Sequence, residues 1–410
     1  MSSMLESAGG AGERLLLREN LSDLTIVCGN FRFPAHSLLL ASQSAVLRSM
    51  LSDDFSEKNS RRIVLKDVKP ETVELFLEYI YCGRVVFETW RDAYELLKVA
   101  HQYQVDPLVQ RCGRFLEGVL SIANVCHLYQ AAFVYSLWGL KEHCLRLIVD
   151  AGFILLESGA FKALGKDAVL EVVNSPSLNV QNELTVFRAL LRWAPSHCCR
   201  LGKRVDEGAI LAALEPFLGC VCFDDMSDAE KAELPAAVLS RVRPNNRTRG
   251  NFCVPESLLK YSSQLQFRTD PDYVESVDVH LTCIRFSLDL PLYLIGIRFA
   301  VLVSELPLPA HMTLASEMSS SLQSIGLSTA AWKDGPMVSD RKWYEAELLL
   351  RQPCRLDPGT VYNLYCMDRT QDAQCPETTL VDKVLLTERG RANVSLHCEN
   401  VWGILRLIFI

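Results

Sequence analysis

Asp23 and His36 are a carboxylate and an imidazole near the start of a 410-residue chain. A bolder reading would make them part of a Ser-His-Asp catalytic triad. No activated nucleophile accompanies them, and no phosphate-cradling GxxxxGK[ST], no GxSxG elbow and no HExxH helix occurs anywhere in the chain. The plain reading is therefore a hydrogen-bonded pair serving structure. His197-Cys198-Cys199 and Cys220-x-Cys222 bring soft ligands together, but paired CxxC spacing is missing and adjacent cysteines point apart, so neither metal nor cofactor is expected. The basic stretch Arg243–Gly250 is short, polar and turn-rich. It reads as a solvated connector, and with a formal net charge of -7 the chain lacks the basic stripe that nucleic acid requires.

The elements around these residues are legible from local patterns. Leu24–Cys28 and Phe31–Phe33 read as strands joined by Gly29-Asn30, a pair that tolerates the positive φ of a tight hairpin. A helix carrying Leu38, Leu39 and Leu40 follows. Ser44 caps the next helix, whose apolar face is Val46, Leu47, Met50 and Leu51. Arg62–Lys66 alternates as a strand. Pro70 opens a helix with Val73, Phe76, Leu77 and Ile80 at i, i+3, i+4 and i+7. Ala93–Tyr103 and Pro107–Leu116 read as two more helices.

Beyond this small α+β module, residues 119–242 show helical periodicity and no strand-like alternation: Ala123–Phe133, Leu140–Val149, Lys166–Val173 and a helix capped by Asn182. After residue 243 the pattern changes to short apolar segments separated by Pro, Gly and Asp: Val277–His280, Cys283–Leu288, Leu292–Leu302, Trp343–Leu350, Val361–Met367, Lys383–Leu386 and Ile404–Phe409. That spacing predicts an all-β sandwich, with Ser316–Ser324 as a loop. The most apolar stretch, LPLYLIGIRFAVLVSELPLPA, is broken by Pro291 and Arg298 and reads as buried strands, so no membrane span is expected. The first residues lack a basic start, which argues against a secretory signal, and the 15 cysteines then read as reduced, mostly buried side chains of a cytosolic or nuclear protein.

The pieces SDLTIVCG, FPAHSLLLASQS, IVLKDV and ELFLEYIYCG resemble the BTB (POZ) domain, a dimerising interaction module. NVCHLYQAAFVYSLWGLKEHCLRLI and LNVQNELTVFRALLRWA resemble the BACK domain that follows BTB in many cullin adaptors. IRFSLDLPLYLIGIRF, TVYNLYCM and GILRLIFI are similar to the PHR domain of one adaptor group, although its glycine-rich loops are thin here. The implied architecture is a multidomain α+β chain: a flexible start (1–10), an α+β BTB domain (11–118), an all-α BACK domain (119–242), a linker (243–272) and a PHR-like all-β sandwich (273–410).

The resemblance implies a homodimer whose interface holds Leu15, Leu16, Leu17, Asp23, His36 and Leu39. Three consecutive leucines cannot all face one small core, so a twofold partner would cover the surplus. It also implies a contact with cullin-3 through an apolar-x-Glu signal after the Leu47–Leu51 helix. Phe55 is its anchor and Glu57 its orienting charge, with Leu51, Asp54 and Tyr103 contributing. The expected function is a non-catalytic, substrate-recruiting adaptor of a cullin-3 RING ubiquitin ligase, with an unknown protein cargo bound by the sandwich. A dimeric scaffold without cullin is the alternative.

Overall fold

The structure is a computed structural model of the whole chain. It describes residues 16–17, 19, 21–52, 61–242, 249–250, 252, 255–276, 281–303, 311–316, 323–325, 333–338, 341–367, 374–380, 384–387, 390–397, 401–402 and 404–410.

The first strand, β1 (Leu24–Cys28), alternates buried and half-buried side chains. It pairs antiparallel with β2 (Phe31–Ala35), closing the hairpin at the Cys28–Phe31 pair. Gly29 sits at φ 56°, the left-handed conformation the turn needs. Helices α1 (Ser37–Gln43) and α2 (Ala45–Met50) cross over to β3 (Arg62–Leu65), which joins β1 in parallel with Ile26 opposite Ile63. Ser44 caps α2 as expected, accepting the Leu47 N–H at 3.0 Å. Helix α3 (Pro70–Cys82) ends on Gly83 in the left-handed region. Then come α4 (Trp90–Gln102), opened by a Thr89/Asp92 capping box, and α5 (Asp106–Gly118). The core is Ile26, Leu40, Ile63, Phe76, Leu77, Leu96 and Leu97, each 2 % exposed or less.

The following region is helical: α6 (Val125–Val134), α7 (Trp138–Asp150), α8 (Gly152–Leu155), α9 (Lys166–Asn174), α10 (Glu183–Arg200), α11 (Glu207–Leu214), α12 (Asp228–Ala232) and α13 (Ala236–Leu239). Trp193 on α10 is fully buried, stacked on His197 at 4.5 Å and edge-on to Phe217 at 5.1 Å. Gly152 is required by close approach, since a Cβ there would meet the Asn179 carbonyl oxygen at 2.8 Å.

The remainder forms two sheets. β4 (Ser263–Ser276), β6 (Leu292–Val303), β9 (Lys333–Val338), β10 (Arg341–Leu356), β12 (Gln374–Leu380), β15 (Val401–Trp402) and β16 (Ile404–Phe409) make one, in the order β15-β12-β4-β16-β6-β10-β9. β5 (Leu281–Leu288), β7 (His311–Ser316), β8 (Gln323–Ile325), β11 (Tyr362–Met367), β13 (Val384–Thr387) and β14 (Gly390–Leu396) make the other, in the order β13-β14-β5-β11-β7-β8. The β10–β6 register slips between Leu349 and Cys354, next to Pro353, and the β12–β4 register slips between Pro376 and Glu377; proline has no N–H for the ladder.

Two boundaries differ from expectation. The stretch 243–272 is not a linker throughout, because β4 begins at Ser263 and a 3-10 turn covers Glu256–Tyr261. Polar residues dominate SQLQFRTDPDYVES, so its pattern did not announce a strand. Within Ser316–Ser324, Ser316 closes β7 and Gln323–Ser324 belong to β8. The expected strand Val277–His280 lies outside the described residues.

By compactness the chain falls into two units. One holds the residues to Leu120, Asn124–Arg146 and Ala163–Ala168; the other holds Ser121–Ala123, Leu147–Lys162 and Val169–Ile410. In the first, α6 and the start of α7 gather with the sheet domain, through Trp90 against His127 at 6.1 Å and His101 against Tyr135 at 4.7 Å.

Candidate interaction site

Of the residues expected at a dimer face, Asp23, His36 and Leu39 lie at the start of α1. His36 is extended and supplies no side-chain cap. The cap comes instead from Asp23, just before β1, whose carboxylate accepts the Ser37 N–H at 2.8 Å and the Ser37 hydroxyl at 2.5 Å. Burial pushes the Asp23 carboxyl up, but the two donors from Ser37, together with its own backbone N–H and the charge of His36, more than reverse this, and it titrates below its ordinary 3.8. His36 is bound to Tyr81 on α3: its backbone N–H donates to the phenol oxygen at 2.9 Å, and its Nδ1 lies 2.7 Å from the same oxygen. Burial raises the Tyr81 hydroxyl above the usual phenol range, with the charge of Asp23 adding to the effect.

The expected Asp23–His36 pair is therefore corrected. The two are neighbours through Ser37, and each is held by a different partner. Asp23 belongs to a helix start and His36 to a tie between the α1 entry and α3.

The three leucines of α1 separate as a 100° step per residue demands. Leu40 is fully buried and Leu39 half-buried, whereas Leu38 is 80 % exposed. Leu21 (86 %) and Leu17 (42 %) are also exposed, and Leu16 is half-buried. Leu16 and Leu17 line a groove of about 520 Å3 along the outer side of α3, with Glu74, Leu75, Glu78 and Val86. Leu15 lies outside the described residues. Among the described residues, Leu38 and Leu21 are exposed apolar side chains beside these; the sequence pointed to the Ser37–Leu40 segment as a whole and not to Leu21.

Of the expected cullin-contact residues, Leu51 is half-buried at the C-terminus of α2. Asp54, Phe55 and Glu57 lie outside the described residues. Tyr103 is corrected. It is 4 % exposed, its ring packs on Phe76 at 5.9 Å and its carbonyl oxygen accepts the Ser44 hydroxyl at 2.5 Å, so its side chain is core. At that corner the exposed residue is Gln104, in the left-handed region at φ 50°.

A second exposed feature lies at the α6–α7 turn. Trp138 is 72 % and Val134 54 % exposed, with the Lys141 ammonium 4.8 Å from the Phe133 ring centre and 5.5 Å from that of Trp138.

The cysteine clusters do not converge. The Cys198 thiol donates to the Ala209 carbonyl at 3.6 Å, Cys199 is exposed, and the Cys220 thiol faces Asn174 at 3.8 Å. Among the described residues no group of three or more His, Cys, Asp and Glu side chains is placed to hold a metal ion, and no helix is long and apolar enough to cross a membrane.

Residues 13–120 match the BTB/POZ domain family, and residues 125–204 match the BACK (BTB And C-terminal Kelch) family. The chain thus carries a BTB/POZ domain followed by a BACK domain. It is similar to BTB/POZ domain-containing protein 9 of Homo sapiens, with 27% identity over 264 residues, 61% of this chain and 42% of the relative. It is also similar to Kelch-like protein 6 of Homo sapiens, with 28% identity over 208 residues, 50% of this chain and 33% of the relative. The chain thus spans less than half the length of these curated relatives. Among solved structures it is similar to the BTB domain of zebrafish PATZ1, at 18% identity and a TM-score of 0.23, covering 28% of this chain and 90% of that one.

Proposed function

We propose that this chain is a substrate-recruiting adaptor of a cullin-3 RING ubiquitin ligase, working as a homodimer in the cytosol or nucleus. The observation that carries the reading is the tandem of a BTB/POZ match at 13–120 and a BACK match at 125–204, shared with a Kelch-like relative. The C-terminal two-sheet module, read as PHR-like, takes the protein cargo. Catalysis belongs to other subunits, and this chain acts by raising the local concentration of cargo beside them. Dimerisation lets two weak cargo contacts act together.

Leu16, Leu17, Leu38 and Leu39, with Leu15, form the dimer face; the exposure of Leu17 and Leu38 supports this, since a twofold partner is the economical cover for such a surface. Phe55 anchors cullin, Glu57 orients it, and Leu51 and Asp54 flank them. Loss of the aromatic anchor costs about 2 kcal/mol or more. Phe55→Ala with Glu57→Ala is expected to abolish co-purification of cullin-3 while light scattering still reports a dimer. Unchanged cullin recovery refutes the adaptor reading and leaves a dimeric scaffold.

A further inference from the structure

We infer that Arg249 and Phe153 are positioning residues that lock the two-sheet module to the second half of the helical region, so that cargo is presented at a fixed place and not on a swinging tether. This rests on the proposed adaptor role for its purpose, while the coupling itself is a property of the chain alone.

Arg249 sits in the segment that leaves the helices, and it is almost completely buried, with 9 % of its side chain exposed. Its Nε donates to Glu183 Oε1. Its Nη1 donates to the Ser175 carbonyl at 2.8 Å, and its Nη2 to the Val173 and Cys220 carbonyls at 3.0 and 3.1 Å. Glu183 is itself 5 % exposed, and its other oxygen accepts the Cys222 N–H at 2.8 Å. One guanidinium therefore ties the end of α9, the start of α10 and the Cys220–Cys222 turn to the chain's exit, and the Gly250 N–H continues the seam to the Pro176 carbonyl at 3.3 Å. The planar fork is what allows four acceptors to be served at once; an ammonium cannot reproduce it.

A few residues on, the segment is held again. Phe252 meets Phe153 of α8 edge-on at 5.5 Å, and the Ser257 hydroxyl donates to Asp150 at 2.5 Å. Phe153, 3 % exposed, also meets Tyr293 of β6 edge-on at 6.0 Å. The Tyr293 hydroxyl donates to Glu157 at 2.8 Å, and Arg355 of β10 lies 3.9 Å from the same carboxylate. Glu157 and Arg355 are exposed enough for water to weaken that pair, so the aromatic contact and the buried guanidinium carry the lock. Helix, exit segment and sheet are thus fastened at successive points, the opposite of a solvated tether.

The test uses the full chain, without cullin or cargo, in the wild type and in R249K/Y293A. Calorimetry, amide exchange and small-angle scattering are the readouts. The wild type is expected to show one melting transition for α10 and the two sheets, with the Gly250, Tyr293 and Ile410 amides opening together with the core of α10. In the variant, strand amides keep their protection, residues 250 and 255–262 exchange about tenfold faster or more, the transition splits and the maximum dimension grows. Should the variant not fold, the wild-type exchange pattern decides alone. The inference is overturned if wild-type strands and α10 open independently, or if a folded variant keeps one transition and an unchanged dimension. Cullin recovery is measured separately, so failure of the lock and failure of the adaptor reading are distinguishable.

Discussion

Replacing Arg249 by Met puts a number on the buried pair it forms with Glu183. The variant keeps the apolar stem of the side chain and removes its charge and all its donors. Glu183 then stays enclosed and keeps the Cys222 N–H as a donor at 2.8 Å, while the Val173, Ser175 and Cys220 carbonyls lose the guanidinium. Leaving one member of such a pair charged and buried costs about 3–5 kcal/mol. Each 1.36 kcal/mol is a factor of ten, so protection of the α10 amides is expected to fall by roughly two to nearly four orders of magnitude, read by hydrogen exchange with α4 amides as the internal control. Glu183→Leu is expected to cost a similar amount, since it strands the guanidinium. The double variant E183L/R249M removes both charges, and its cost is expected to fall short of the sum of the single costs by about 2 kcal/mol or more. A change in R249M below about 0.5 kcal/mol, the size of an ordinary surface substitution, refutes the burial argument. Strict additivity in the cycle refutes the coupling.

Two further outcomes follow from the same reasoning. Asp23→Asn keeps an oxygen acceptor but removes the negative charge at the start of α1, at a cost of about 0.3–1 kcal/mol at neutral pH. Because the Asp23 carboxyl titrates below its ordinary 3.8 when folded, its contribution is present above that value and is lost as pH falls through the lower folded-state one. Amides of Leu40–Ser44 should therefore lose protection on acidification in the wild type and show less of that dependence in D23N; equal acid responses refute the assignment. Alkylation of native protein at pH 7.5 should modify the exposed Cys199, whereas Cys112 and Cys126, each pushed up by burial to about 12 from 9.0, carry about a thousandfold less thiolate and should stay unmodified. Mass spectrometry showing Cys112 or Cys126 labelled as fast as Cys199 contradicts this.

Local signals carried far in this chain. The Gly29-Asn30 turn, the Ser44 cap and the Pro70 helix start were legible because each depends on a few consecutive residues, and the folded chain has all three. The order α+β, then all-α, then strands followed from periodicity, and the BTB and BACK matches agree with the first two parts. The candidate site was legible only in part: the surplus leucines pointed to an exposed face, but which leucine faces outward was settled by the helix phase at Leu38.

What needed the fold is non-local. His36 finds Tyr81, 45 residues away, and Asp23 finds Ser37, so two polar residues that look like a pair in the sequence are divided between two partners. Tyr103 is aromatic at a corner and reads as a contact, yet Phe76 and Ser44 enclose it. Arg249 stands among Asn, Thr and Arg in a stretch that looks solvated, and only the convergence of α9, α10 and the Cys220–Cys222 turn surrounds it with acceptors. The sequence specifies elements, because backbone propensities and side-chain periodicity act over a few residues. Which polar group is buried, and against what, is decided when distant segments close around it and remove the water that would otherwise have satisfied it.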